Sequence, residues 1–277
     1  MKENKPNIID NQNSDSVTTD HSPKENKEGE GESPPYITVV IPIHNEERIL
    51  ENAVSALFQN LSSWRPDLAL EIILAENGSR DATFKIARKL ERQHHEISAL
   101  SLDEPNYGAA LRAGILKARG KWVICDEIDL CDVGFHSRAV AILERDEAEL
   151  VVGSKAMEGA HDHRPLPRRL ATKVINNMLK IMLGFTGTDT HGLKAFHREK
   201  LLNVARRCVV DKDLFASEFV IRAERSGVRI KEIPIEVAEK RPPSVDLVRR
   251  VPNVLKNMAV LFYALRIHNN NNNNKYE

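Results

Sequence analysis

Short runs of β-branched and aliphatic residues recur along the chain, each followed by a polar turn and then by apolar residues at helical spacing. Tyr36-Ile-Thr-Val-Val-Ile-Pro-Ile43 is the first such run, and it reads as a strand buried on both faces of a parallel sheet. Behind it Ile49, Leu50, Ala53, Val54 and Leu57 form one side of a helix. A second strand is predicted over 70–75, followed by a helix carrying Phe84, Ile86, Ala87 and Leu90. A third strand over 97–102 leads to a small-residue helix that runs from Asn106 through Gly114. A fourth, over 121–125, follows Gly120, and a fifth spans 150–154. Strand–helix alternation of this kind predicts right-handed crossovers and a mostly parallel sheet, an α/β fold.

The second half is less regular. Residues 155–167 read as a polar loop, 168–183 as a helix, 184–192 as a Gly/Thr/Asp loop and 193–196 as a short strand. A helix over 214–225 stops at Gly227, and 228–237 alternates cleanly, as a half-exposed strand does. The segment 244–267 is apolar on one side through Val251, Val254, Leu255, Met258, Leu261, Phe262 and Leu265, with Arg249, Arg250, Lys256 and Arg266 beside them. That is the make-up of a helix lying on a membrane surface, or of one packed on its own domain.

Composition sets the ends apart. Residues 1–35 carry almost no sizeable apolar groups, too few to offset the entropy of ordering, and are expected to be disordered. The Asn-rich end, 268–277, is expected to be a tail. Between them lie a single domain over 36–243 and the amphipathic helix. With Lys+Arg and Asp+Glu both 40, the net charge is zero and no global field points to nucleic acid. Three cysteines without a CxxC suit a reducing cytosol. No signal peptide and no run of eighteen apolar residues is present, so a cytoplasmic protein, at most peripheral on the membrane, is expected.

The candidate chemistry centres on Lys121-Trp-Val-Ile-Cys-Asp-Glu-Ile-Asp-Leu-Cys-Asp132. Here a buried strand ends in Asp126, Glu127, Asp129 and Asp132, at the sheet edge where open α/β folds bind ligands. Crowded carboxylates repel one another unless a cation joins them, and such oxygen ligands suit Mg²⁺ or Mn²⁺ shared with substrate phosphates. Asp132 reads as a surface charge. Asn77-Gly78 marks a turn, with Ser79 or Asp81 as helix caps.

Taken in order, Ile41-Pro-Ile-His-Asn-Glu46, Glu76-Asn-Gly-Ser79 with Asp81 and Thr83, Asn106-Tyr-Gly108, Glu127-Ile-Asp129, Gly153-Ser-Lys155, Asp189-Thr-His-Gly192 and Phe215-Ala-Ser-Glu218 resemble family 2 glycosyltransferases of the GT-A fold. Within that family the resemblance is to dolichyl- or polyprenyl-phosphate sugar synthases, and it covers about 36–243. The usual Asp-Asp-Gly-Ser is Glu76-Asn77-Gly-Ser here, and the usual DxD is Glu127-Ile-Asp129 preceded by Asp126. Which of Asp126 and Glu127 pairs with Asp129 is left open.

The resemblance implies a Rossmann-like sheet and a GDP- or UDP-hexose held by Pro42, Asn45, Glu46, Glu76, Gly78, Asn106, Gly108, Asp126 and Glu127. The metal would sit on Glu127 and Asp129, and Asn45 reads equally as a helix cap. Lys155, Arg168, Arg169, Lys240 and Arg241 would bind an acceptor phosphate on a lipid, with a membrane surface or membrane subunit nearby. Catalytic roles fall to Asp129, Arg169 and Asp189, the last as base should the acceptor be a hydroxyl of a soluble or polysaccharide substrate. Arg112 is a further candidate for a phosphate and Glu218 for a cation or the sugar, or for a buried salt bridge. His161, Asp162 and His163 invite a metal reading, which their polar loop disfavours. The altered motifs also admit a domain that binds nucleotide sugar without catalysis.

Overall fold

The computed structural model describes residues 34–237 and 247–268. The expected N-terminal disordered segment (all but 34–35), Lys240, Arg241 and the Asn-rich tail beyond His268 lie outside the described residues.

The elements in chain order are β1 Ile37–Ile43, α1 Leu50–Trp64, β2 Leu70–Asn77, α2 Thr83–Gln93, β3 Ile97–Leu102, α3 Tyr107–Lys117, β4 Trp122–Cys125 and α4 Val133–Glu144. There follow β5 Leu150–Ser154, β6 His161–Asp162, α5 Leu166–Leu183, β7 Lys194–His197, α6 Arg198–Arg207, α7 Phe215–Arg225, β8 Ile230–Pro234, β9 Glu236–Val237 and α8 Leu247–Phe262, which runs on as a π-helix over Tyr263–His268. Seven strands form one sheet in the order β3-β2-β1-β4-β7-β5-β8. All its pairs are parallel except those of β7, which runs antiparallel to β4 and β5.

The unbroken apolar runs are explained by burial on both faces. Ile37, Val39 and Ile41 of β1 pack with α1, α2 and α4, while Val40 faces a second cluster built by α3, α5, α6, α7 and α8. Chain order reverses between β1 and β4, and in open α/β sheets the crevice at such a switch point takes the ligand. The carboxyl ends of these two strands are Ile43 and Cys125.

Two expectations change. The alternating stretch 228–237 is two strands rather than one, because Pro234 brings no N–H to continue the ladder. Beyond it, β9 pairs with β6, inside the stretch expected to be loop. The terminal helix turns Met258, Leu261 and Leu265 into the second core, so its best apolar side packs on the domain, with Leu255, Phe262 and Tyr263 left exposed. Among the described residues no helix is long and apolar enough to cross a membrane.

Candidate functional site

The loops after β1 and β2 interlock. Asn45 stands in the left-handed region at φ 55°, its N–H donates to Ser79 Oγ at 3.0 Å, and its Oδ1 accepts from Arg80 N–H at 2.9 Å. It does not cap α1, which begins five residues later at Leu50. Glu46 N–H donates to Thr83 Oγ1 at 2.7 Å, and Asp81 takes Glu47 N–H at 3.3 Å and Thr83 N–H at 2.9 Å. Glu76 is buried and accepts from Ser79 N–H and Ser101 Oγ. Burial raises its pKa, but these hydrogen bonds outweigh it and leave the carboxyl below its ordinary value. Glu76 thus holds the turn in shape, and Gly78 allows it. Its φ is +61°, and a Cβ there would lie 2.7 Å from the carbonyl carbon of Glu104.

Two of the nucleotide candidates, Pro42 and Gly108, are tightly packed. Pro42 is fully buried inside β1. Residues of Val40's parity bond toward β4, where Asp126 N–H reaches Val40 O at 3.0 Å. The β1–β4 register ends at Val40 and Cys125, so Pro42 sits where no partner needs its missing N–H. Gly108 faces the 211–215 segment, where a Cβ would overlap Asp211 O at 1.3 Å. Asn106 caps α3 by accepting from Ala109 N–H at 3.0 Å, and its own N–H donates to Asn77 Oδ1.

β4 delivers the acidic turn. Asp126 is buried, with Oδ1 accepting Glu127 N–H at 2.6 Å and Oδ2 at 2.5 Å from His136 Nε2 of α4. Glu127 O then accepts from Leu130 and Cys131 N–H, closing a tight turn in which Cys131 adopts φ 46°. Ile128 is in the core at 4% exposure, between Glu127 and Asp129, which are both partly exposed. Asp126 is thus engaged in holding the turn, while the charge of Asp129 acts on Glu127. Asp132 is no idle surface charge, since its Oδ1 caps α4 through Phe135 N–H at 2.8 Å.

Two lysines lie near enough to this turn to act on Glu127, namely Lys155 and Lys194. Lys155, just past β5, reaches Asp189 Oδ2 with its ammonium at 2.8 Å, and both side chains are buried. Asp189 also accepts His191 N–H at 2.9 Å. Burial works against its charge, yet Lys155 prevails and holds it down at about 2. A carboxylate so low and so engaged is a weak proton acceptor and well suited to orient Lys155. Lys194 on β7 lies opposite Cys125 and Val152 in register, and its ammonium donates to Gly192 O at 2.7 Å. Burial lowers it to about 8.

Glu127 is pushed up to about 6, first by burial and then by the charge of Asp129, with Lys155 pulling the other way. The like-charged Glu127 and Asp129 suit a divalent cation. Among the described residues no three His, Cys, Asp or Glu side chains gather as a cage, so such a cation would draw its remaining ligands from water and a bound phosphate, the habit of Mg²⁺. Carboxylates suited to a cation and ammonium groups suited to an anion are thus close together.

Several candidates lie elsewhere. Arg112 bonds Arg206 O at 2.8 Å and joins α3 to α6. Glu218 is fully buried, accepting from Val209 and Val210 N–H and pairing with Arg222 at 2.6 Å, the salt-bridge alternative. Asp162 pairs with Arg164 and His163 with Glu236, so the His161–His163 stretch gathers no metal group. Arg168 and Arg169 stand in the first turn of α5, Arg169 exposed.

Sequence reasoning missed His136 and Lys194. Both carried a signal, each being a polar residue in an apolar stretch, Lys194 between Leu193 and Ala195, His136 beside Phe135. Arg164, which lies within the fields of Asp189 and Glu127, was missed as well.

Comparison with known proteins completes the picture. The family described as "Glycosyl transferase family 2" matches residues 38–204. Glycosyltransferase AglD of Haloferax volcanii is 32% identical over 219 residues, covering 78% of this chain and 35% of that protein. Dolichyl-phosphate beta-glucosyltransferase ALG5D of Trichomonas vaginalis is 24% identical over 249 residues, covering 84% of this chain and 75% of its own. Its relative ALG5C is 28% identical, covering 73% and 63%. The chain thus spans about a third of AglD's length and about two thirds of ALG5C's. Among solved structures, glucosyl-3-phosphoglycerate synthase from Mycobacterium tuberculosis with UDP superposes at TM-score 0.61 and 20% identity, covering 82% of this chain and 80% of that one. Its complex with Mn²⁺, UDP-glucose and phosphoglyceric acid gives 0.58 at 18% identity, covering 82% and 80%. At that identity the likeness speaks to the fold.

Proposed function

The chain belongs to glycosyl transferase family 2, and from that premise we propose that it moves a hexose from a nucleoside diphosphate sugar to a polyprenyl phosphate, with inversion at the anomeric carbon. The observation that carries this reading is the nearness of Glu127 both to Asp129 and to the ammonium groups of Lys155 and Lys194, Lys155 being itself paired with buried Asp189. Glu127 and Asp129 would hold a divalent cation for the donor diphosphate, and Lys155 and Lys194 supply positive charge for an anionic acceptor.

A Mg²⁺ or Mn²⁺ on Glu127 and Asp129 would neutralise charge on the departing nucleoside diphosphate. Lys155, oriented by Asp189, holds the acceptor phosphate, and Arg164, Arg168 and Arg169 add positive charge along the same loop and helix start. A phosphate acceptor is already anionic near neutral pH, so no base is required, which agrees with Asp189 being held at about 2. Catalysis then rests on alignment and on charge stabilisation at the leaving group. Direct attack of the acceptor phosphate oxygen on the anomeric carbon, as the nucleoside diphosphate leaves, is a single displacement, and it inverts. The named relatives that act on dolichyl phosphate support the acceptor class. The solved relative's UDP-glucose complex makes UDP-glucose the first donor to try.

The test is transfer of label from UDP-glucose, and in parallel from GDP-mannose, into the organic phase with dolichyl phosphate and Mn²⁺ present. Label in the organic phase, abolished by EDTA and by Asp129→Ala, is the expected result. Label that stays in water with every donor overturns the lipid acceptor.

A further inference from the structure

The face of α5 turned away from the sheet carries an apolar stripe, broken by the exposed Asn177 between Val174 and Ile181. Leu179 and Leu183 enter the second core, whereas Leu166, Leu170, Val174 and Ile181 are 74%, 63%, 49% and 83% exposed. At about 3.6 residues per turn these four fall within an arc of about 80°. Arg169, Lys173 and Lys180 are exposed along one edge of that arc, and Leu166–Leu183 holds no Asp or Glu. Apolar residues scattered singly on a surface need no explanation, but an aligned stripe with a one-sided cationic border does.

α5 is also tied to the site. Arg164, which follows the Lys155 loop, donates to Thr172 Oγ1 at 3.3 Å, and Asn176 Nδ2 donates to Thr188 O at 2.7 Å, beside Asp189. Whatever seats on the stripe is therefore held in a set relation to Lys155.

We infer that this face of α5 docks the chain on an anionic lipid bilayer, with Leu166, Leu170, Val174 and Ile181 entering the interface and Arg169, Lys173 and Lys180 meeting headgroup charge. The surface stands on its own exposure and charge; its use, bringing a lipid phosphate to Lys155, rests on the function proposed above. A second copy fits less well. A twofold contact through this face would set Arg and Lys against Arg and Lys, with no acid on the helix to answer them.

The full chain is sedimented with phosphatidylcholine vesicles containing about one third phosphatidylglycerol, and with phosphatidylcholine alone. The chain should follow the anionic vesicles, and the double variant Leu170→Glu with Ile181→Glu should partition at least about tenfold less. Val209→Glu, the same change at an apolar residue 54% exposed elsewhere, should bind like wild type. Both α5 positions face solvent, so circular dichroism and thermal midpoint should be unchanged. Partitioning equal in wild type and double variant, or absent from both, overturns the inference. So does a dimer by light scattering that the double variant dissociates, which would assign the face to a second copy. Transfer to a short water-soluble prenyl phosphate without vesicles should be equal in wild type and double variant. Were it absent from both while vesicle binding held, the acceptor assignment would fail and the docking surface would stand.

Discussion

Lys155 and Asp189 show how one buried pair ties stability to function. Both side chains are buried and 2.8 Å apart, so removing one partner leaves an uncompensated charge. Lys155→Met should cost about 3–5 kcal/mol of unfolding free energy, read by urea denaturation. The sign with pH follows from the depressed carboxyl. Its contribution is full above the ordinary value of 3.8 and is lost as pH falls toward about 2. The wild type should lose stability across that window, and Lys155→Met should show a shallower loss. Glu127 behaves oppositely. Raised from 4.5 to about 6, its ionised form opposes folding once pH rises through that interval. In metal-free buffer above about pH 6, Glu127→Gln should therefore be more stable by about 1–2 kcal/mol, with no difference below the ordinary value. The same change should lower transfer about a hundredfold or more, since it removes a candidate metal ligand. A Glu127→Gln protein no more stable than wild type above that pH would show that Glu127 is not strained by its burial and by Asp129. At this scale the acids were legible as types in a row. That Asp126 is tied into the turn was not, because its partner His136 is contributed by the next helix.

Among the elements, α3 tests how much of a motif is packing. Gly108 lies where α3 meets the 211–215 segment, and a methyl there would overlap Asp211 O. Gly108→Ala should destabilise by about 1–3 kcal/mol or more by thermal melting. If the role is packing alone, donor affinity measured well below the melting range should change far less. The strands of the first half were legible because β1, β2 and β4 are buried on both faces, which leaves an unbroken apolar run that only a central parallel strand needs. Short elements were harder. β6 and β9 are two residues each and exist only because they meet, so neither leaves a periodic trace. The amphipathic pattern of α8 was visible, but amphipathicity reports that one side is buried and not against what. Its buried side belongs to the domain core, while α5 leaves its stripe to solvent.

For the whole molecule, ligand linkage gives the broadest test of the site. Donor and Mn²⁺ together at about a hundred times the dissociation constant should add roughly 2.7 kcal/mol of stability. For an ordered domain of this size that is a rise in melting temperature of about 5–10 °C. The rise should need the metal and vanish in Asp129→Ala. No rise with any nucleotide sugar would leave the Glu127–Asp129 turn without its assigned ligand. What the sequence alone determined was the alternation of strand and helix, the end of β4 as the acidic edge, and the order of motifs that marks the family. Those are local properties, written in the spacing of apolar residues and in adjacent polar ones. Only the tertiary structure decided that β7 inserts antiparallel between β4 and β5. That insertion carries Lys194 opposite Cys125, and the loop before it carries Asp189 to Lys155. Such pairings join residues far apart in the chain, and their energies depend on burial that no local pattern records.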